Sequence, residues 1–290
     1  MTRIITSLSE ISESYDALFC DLWGCVHDGL APFAEAVAAL QAFRARGGTV
    51  MLVTNAPRAH APVRRQLDRL GVPSDAYDGI ATSGDSARAA MLRGAVGEKV
   101  YFIGQPHDQD FFAPLELIGN PVTISQVPLE QAEGMVCCGP FDPLADPKEM
   151  RAQFLQAETR GLKLLCANPD IVVDRGETRE WCAGALAKLY TEMGGESLYF
   201  GKPHPPIYDL ARRRLQALGK DIPDSRILCV GDGISTDIDG AMGEDLDSLF
   251  ITGGLAARET QTADQPDPKA LMAYLTKEMR QPTYSIGKLR

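Results

Sequence analysis

No stretch of this chain is apolar for the roughly 20 residues that a membrane-spanning helix needs. The opening residues, MTRIITSLSEISESYD, have no basic start followed by an apolar stretch and no cleavage site. Both absences predict a cytoplasmic protein. Positive charge is also scarce, with 29 Lys and Arg against 39 Asp and Glu and a formal net charge of -10. No basic patch stands apart from this excess, so nucleic acid and anionic membrane are not expected as partners. An anionic small molecule would need positive charge concentrated locally. Paired cysteines are missing as well. The seven cysteines, Cys20, Cys25, Cys137, Cys138, Cys166, Cys182 and Cys229, contain no Cys-x-x-Cys and follow no regular spacing. That argues against a zinc site, a redox pair or a disulfide framework, and for reduced thiols acting as small hydrophobes. Low-complexity segments and internal repeats are absent, which excludes extended disorder and solenoids.

What remains is the composition of an ordinary folded protein, 290 residues with 44% hydrophobic, long enough for two domains or for one core with a large insertion. Short apolar runs bounded by Gly, Asp, Asn or Pro alternate with stretches of helical period, the pattern of repeated βα units on a parallel sheet. Strands are expected at Ala17 to Asp21, Thr49 to Val53, Gly79 to Thr82, Arg226 to Val230 and, last, Ser248 to Thr252. Helices are expected at Phe33 to Arg46, His60 to Leu70, Ile207 to Leu218 and Ile234 to Met242. Between the two groups, strand candidates at Lys99 to Ile103, Gly134 to Cys138 and Leu162 to Cys166 alternate with helices of their own. The fold class is therefore α/β, a Rossmann-like parallel core formed by residues 1–84 and 198–290 with an inserted α/β domain at 85–197. Trp181 is expected in the core at the start of an apolar helix with Leu186 and Leu189.

Four segments carry candidate chemistry. Asp21-Leu22-Trp23-Gly24-Cys25-Val26-His27-Asp28-Gly29 sets a carboxylate after an apolar strand and before a Gly-containing loop, where it can attack an electrophile or hold a cation. Taken alone, Asp21 is more readily an ordinary helix-cap or turn residue. Val53-Thr54-Asn55-Ala56-Pro57 offers a hydroxyl and backbone N–H groups to phosphate oxygens, or serves as a plain helix cap. In Gly201-Lys202-Pro203-His204-Pro205, rigid flanks fix Lys202 as a point charge suited to a phosphoryl oxygen. Finally, Val230-Gly231-Asp232-Gly233-Ile234-Ser235-Thr236-Asp237 places Asp237 about one turn beyond Asp232, so that both acids can converge on a hard cation. A dinucleotide loop competes poorly for this last segment, because Thr236 occupies the place of the third glycine.

In this order, each at a strand end, the four segments resemble the motif set of the haloacid dehalogenase superfamily. The long insertion, with Thr82-Ser83-Gly84 leading into it and Asn168-Pro169-Asp170 inside it, is similar to the class IIA branch of p-nitrophenyl phosphatase-like and sugar phosphatase-like proteins. The resemblance implies a Mg²⁺-dependent phosphohydrolase acting on a small phosphorylated metabolite. Asp21 would be the nucleophile. Thr54 and Lys202 would bind the phosphoryl group, and Asn55, Asn168 and Asp170 would contribute to substrate binding. Mg²⁺ would be held by Asp21, the carbonyl of Trp23 and Asp232, with Asp237 behind them.

One position departs from that pattern. Phosphatases of the superfamily carry a second aspartate two residues after the nucleophile, as acid and base, and here that residue is Trp23. An indole N–H donates only and cannot shuttle protons near neutral pH. General acid-base catalysis contributes about 10² to 10⁴ in rate, so slowed hydrolysis is expected, with three ways around it. The substrate carries a good leaving group, such as an acyl or aryl phosphate; His27 replaces the acid; or the protein binds a phosphorylated ligand without efficient turnover. Dehalogenation fits less well, since those relatives need no metal. The residues from Gln281 to Arg290 suit no expected element, and a homo-oligomer is left open.

Overall fold

The structure, a computed structural model, describes residues 2–113, 121–175 and 178–290. In chain order the strands are β1 (Arg3–Ile4), β2 (Ala17–Cys20), β3 (Thr49–Thr54), β4 (Gly79–Thr82), β5 (Lys99–Ile103), β6 (Ser125–Gln126), β7 (Gly134–Cys137), β8 (Lys163–Cys166), β9 (Val172–Arg175), β10 (Thr178–Trp181), β11 (Glu196–Tyr199), β12 (Ile227–Gly231), β13 (Asp247–Ile251) and β14 (Tyr284–Ile286). The chain divides into two compact units, one comprising Met1–Thr54, Arg64–Ala81 and Lys202–Arg290, the other Asn55–Val63 and Thr82–Gly201.

The first unit is built on a seven-stranded sheet in the order β1-β14-β13-β12-β2-β3-β4. Strands β2, β3 and β12 are buried along their whole length, which is why their sequences, ALFC, TVMLVT and ILCVG, read as unbroken apolar runs rather than as alternation. β2 pairs in parallel with both β3 and β12. From these central strands the chain steps outward in opposite directions, to β3 and β4 on one side and to β13 and β14 on the other. The order thus reverses between β2 and β12, and a crevice for ligands is expected at their carboxyl ends. The helices Ala34–Ala45 and Pro205–Ala217 bury Val37, Leu40 and Phe43, and Ile207, Tyr208, Ala211 and Leu215 respectively. Spacings of three and four residues give each a single apolar face.

Two expectations are corrected in this unit. The residues after Gln281 are not structureless: Tyr284–Ile286 pairs in parallel with both β13 and β1, so Ser248 to Thr252 is not the last core strand. Three residues are too few to show a period. The helix expected from Ile234 to Met242 is a π-helical turn at Ile234–Ile238 running into a short α-helix at Asp239–Gly243.

The second unit has its own five-stranded sheet, β11-β8-β7-β5-β6, whose neighbours run parallel. Met135, Cys137, Phe154, Leu164, Leu186 and Tyr190 lie in a core on this sheet. The antiparallel ribbon β9–β10 stands beside it in sequence. Trp181 ends that ribbon and keeps 36% of its surface exposed, and the helix begins only at Ala183. It is therefore neither core nor helical. Leu186 and Leu189 do supply the buried face of that helix, and their helical spacing drew its start too far forward.

Candidate active site at the carboxyl ends of the core strands

Asp21 and Asp232 follow directly on the paired strands β2 and β12. The ladder extends one residue further, since the Asp21 N–H donates to the Val230 carbonyl at 2.8 Å. Both carboxylates are thus anchored by backbone where the sheet ends. The chain then turns back tightly over them. Gly24 has φ +76°, and a β-carbon there would fall 2.2 Å from Asp232 Oδ2, so this position requires glycine for both conformation and space. Asp232 Oδ2 accepts the Leu255 N–H at 3.0 Å.

Asp237 is directed inward by the π-helical turn. Its Oδ2 accepts the Gly233 N–H at 3.0 Å, which leaves Oδ1 for Lys202, whose Nζ lies 2.7 Å away. The same Nζ stands 2.6 Å from Asp21 Oδ1. Only 3% of Lys202 is exposed. The ammonium is held between two carboxylates, with little freedom to move and little water to screen it.

Asp21 and Asp237 share this ammonium, and Asp232 is a third buried carboxylate of the site. Burial pushes the Asp232 carboxyl far above its ordinary range, and the charges of Asp21 and Asp237 add to the shift; the Leu255 N–H and Lys202 oppose it. Burial also raises Asp237, against the pull of Lys202. Ionised together, the four groups leave an excess of negative charge in a low-dielectric site, a state that protons or a cation must relieve. Ligand atoms of Asp21, Cys25 and Asp232 lie within 4.8 Å of one another. The two carboxylates suit a hard divalent ion such as Mg²⁺. The residues present therefore fit the implied cation.

Thr54 ends β3, next to β2, and is 7% exposed. Trp23 is half-buried and packs over Gly29, where a β-carbon would lie 2.5 Å from the indole. Its ring meets that of His27 edge to face, with centroids 5.2 Å apart. His27 is buried, and its Nδ1 accepts the Gly29 N–H at 3.0 Å. In the neutral ring this places the proton on Nε2. The loop thus braces Trp23 from two sides.

Asn55, Asn168 and Asp170 belong to the second unit, where they form a cluster of their own. Asn55 Nδ2 donates to Asp170 Oδ1 at 2.8 Å, and the Asp170 N–H donates to Asn168 Oδ1 at 3.0 Å. Gly201 makes the packing possible, because a β-carbon there would come within 2.5 Å of Asn55 Oδ1 and 2.6 Å of Ser83 Oγ.

Two residues of these clusters are not predicted as site residues from sequence. Ser83 is fully buried, and its hydroxyl finds no hydrogen-bond partner among the described residues; its signal is the Thr-Ser-Gly run at a strand end. Cys25 reads in the sequence as a small hydrophobe, and its signal is its place within the loop that carries Asp21.

Comparison with known proteins identifies the family. A model of haloacid dehalogenase-like hydrolases matches residues 18–117, and a HAD-hydrolase-like model matches residues 199–277. D-glycerol 3-phosphate phosphatase of Mycobacterium tuberculosis is 28% identical over 290 residues, 98% of this chain and 72% of that protein. A crystal structure of glycerol phosphate phosphatase from Mycobacterium tuberculosis in complex with magnesium aligns with TM-score 0.67 at 25% identity, covering 99% of this chain and 78% of that one. A haloacid dehalogenase-like hydrolase from Brucella suis 1330 aligns with TM-score 0.86 at 38% identity, over 99% of this chain and 100% of that one. With that identity sustained along both chains, this protein belongs to the haloacid dehalogenase-like hydrolase family.

Proposed function

We propose that this chain is a Mg²⁺-dependent phosphatase that hydrolyses a small phosphorylated metabolite through a phosphoaspartyl intermediate on Asp21. The observation that carries the reading is the buried Lys202 ammonium, 2.6 Å from Asp21 and 2.7 Å from Asp237. A lysine so placed holds Asp21 ionised for attack and leaves positive charge where phosphoryl oxygens would arrive. Of the relatives named above, those from Mycobacterium tuberculosis are named for glycerol phosphate, a small phosphorylated metabolite.

Asp21, the Trp23 carbonyl and Asp232 would hold the cation, with Asp237 behind them. When bound, magnesium supplies charge that neutralises the phosphoryl oxygens. A carboxylate oxygen of Asp21 attacks phosphorus, and the bond from phosphorus to the leaving oxygen breaks, its electron pair departing with that oxygen. Water then attacks phosphorus, releases a proton to solvent, frees inorganic phosphate and regenerates Asp21. Thr54 and Lys202 bind the phosphoryl oxygens. Asn55, Asn168 and Asp170 recognise the rest of the metabolite, and the inserted unit acts as a class IIA-type cap.

Trp23 shapes the choice of substrate. Its indole, braced by Gly29 and His27, gives the departing oxygen no proton. We therefore favour substrates whose leaving group departs as a stable anion, such as acyl or aryl phosphates. Ligand binding with slow turnover is the second reading, and the same braced indole supports it. Purified protein with Mg²⁺ and a panel of aryl, acyl and alkyl phosphates separates the two. Turnover that disappears in Asp21→Asn supports the enzyme; thermal protection by phosphate ligands without turnover supports the binder.

A further inference from the structure

The loop that presents Asp21 also brings a thiol to the carboxylates. Ligand atoms of Asp21, Cys25 and Asp232 lie within 4.8 Å of one another, the one such triplet among the described residues. Cys25 is 1% exposed, and Asp232 6%. The thiol is held there by the backbone turn, in which the Cys25 and Val26 N–H groups both donate to the Leu22 carbonyl. Cys20, the neighbouring thiol, is occupied elsewhere, with Sγ directed at the Asp21 carbonyl at 3.2 Å.

We infer that Cys25 is a third protein ligand for thiophilic divalent cations, so that Zn²⁺ or Cd²⁺ is bound at this site by one sulfur and two carboxylates, displacing any oxygen-seeking cation. Mg²⁺ takes oxygen ligands and leaves a thiol aside. Zn²⁺ and Cd²⁺ are softer and accept thiolate together with carboxylate. Zn²⁺ accepts cysteine sulfur and carboxylate oxygen as ligands, and its catalytic sites hold three protein ligands with a fourth position open. On coordination the Cys25 S–H bond gives its proton to solvent and the sulfur lone pair forms the bond to the metal, with no change of oxidation state. The site would then have two modes, a hard cation on oxygen ligands alone and a soft one that recruits Cys25. Exposure to zinc or cadmium would hold the protein in the second.

This inference shares Asp21 and Asp232 with the proposed function but requires no turnover, so the two can fail separately. X-ray absorption of the full-length protein with one equivalent of Zn²⁺ is the direct test. One sulfur at about 2.3 Å and oxygens at about 2.0 to 2.2 Å are expected, whereas a shell of oxygen and nitrogen alone overturns the inference even if the magnesium enzyme is active. Cys25→Ser is expected to weaken Zn²⁺ and Cd²⁺ by about ten-fold or more, to remove the thiolate-to-cadmium ultraviolet absorption, and to change Mg²⁺ affinity by no more than about two-fold. Cys20→Ser is expected to keep the cadmium band. A band that survives in Cys25→Ser, or is lost only in Cys20→Ser, contradicts the assignment.

Discussion

Gly24 passes so close to Asp232 that a β-carbon at Gly24 would sit 2.2 Å from Oδ2 of the carboxylate. The loop after the first central strand and the carboxylate after its neighbour are therefore a single packed unit. Gly24→Ala must either push Asp232 away or abandon the φ of +76°. Its stability is expected to fall by about 1 to 3 kcal/mol, with a loss of Mg²⁺ affinity larger than that of a surface control. Denaturant melts and calorimetric titration with Mg²⁺ check both effects.

Lys202 is the ammonium shared by Asp21 and Asp237. Lys202→Met leaves both carboxylates buried without it, a change expected to cost about 3 to 5 kcal/mol. Part of that loss should return when Mg²⁺ is added, because a cation relieves the same repulsion. Thermal melts in chelator and in Mg²⁺ are the check; equal losses in the two would mean that the cation does not act on these carboxylates.

Asp232 yields a pH prediction. Its carboxyl is raised by burial first, and then by the charges of Asp21 and Asp237. A carboxyl whose pKa is higher folded than unfolded binds more protons in the native state. Its contribution is fully present below the unfolded value of about 4 and is lost as pH rises towards the folded value. The metal-free protein should therefore lose stability as pH rises through that range, and Asp232→Asn should melt above the parent at neutral pH in chelator. Excess Mg²⁺ should reverse the order, since only the parent retains the ligand.

Trp23 predicts the leaving-group dependence. Across a series of aryl phosphates, kcat/KM of the parent should fall steeply as the leaving-group pKa rises, because no side chain at that position donates a proton. Trp23→Asp should flatten the slope and raise the rate on alkyl phosphates, by at most about 10² to 10⁴. A shallow slope in the parent would show that another group supplies the proton. His27 is then the first to replace, although its Nδ1 already accepts the Gly29 N–H.

How much of this was legible in the sequence depended on length and on contact distance along the chain. β2, β3 and β12 were readable because strands buried on both faces leave continuous apolar runs. β1 and β14, with two and three residues, carry no period and draw their stability from pairing with β13 and each other. Trp181 was misplaced because the apolar spacing of Leu186 and Leu189 says where a helix faces and not where it begins. Asp21 and Asp232 stood out as acids at strand ends, and Asp237 as an acid about one turn beyond Asp232. The pairing of Lys202 with Asp21 and Asp237 is a tertiary fact that no local pattern encodes. The approach of Cys25 to the acids is hidden for another reason: a buried thiol and a small hydrophobe look alike in a sequence.

In the proposed mechanism Asp21 becomes covalently phosphorylated. Protein quenched during turnover of an aryl or acyl phosphate with Mg²⁺, then reduced with borohydride and digested, should show homoserine at position 21 by peptide mass spectrometry, and none without substrate. Steady hydrolysis with position 21 unmodified in the parent, and undiminished in Asp21→Asn, would contradict it.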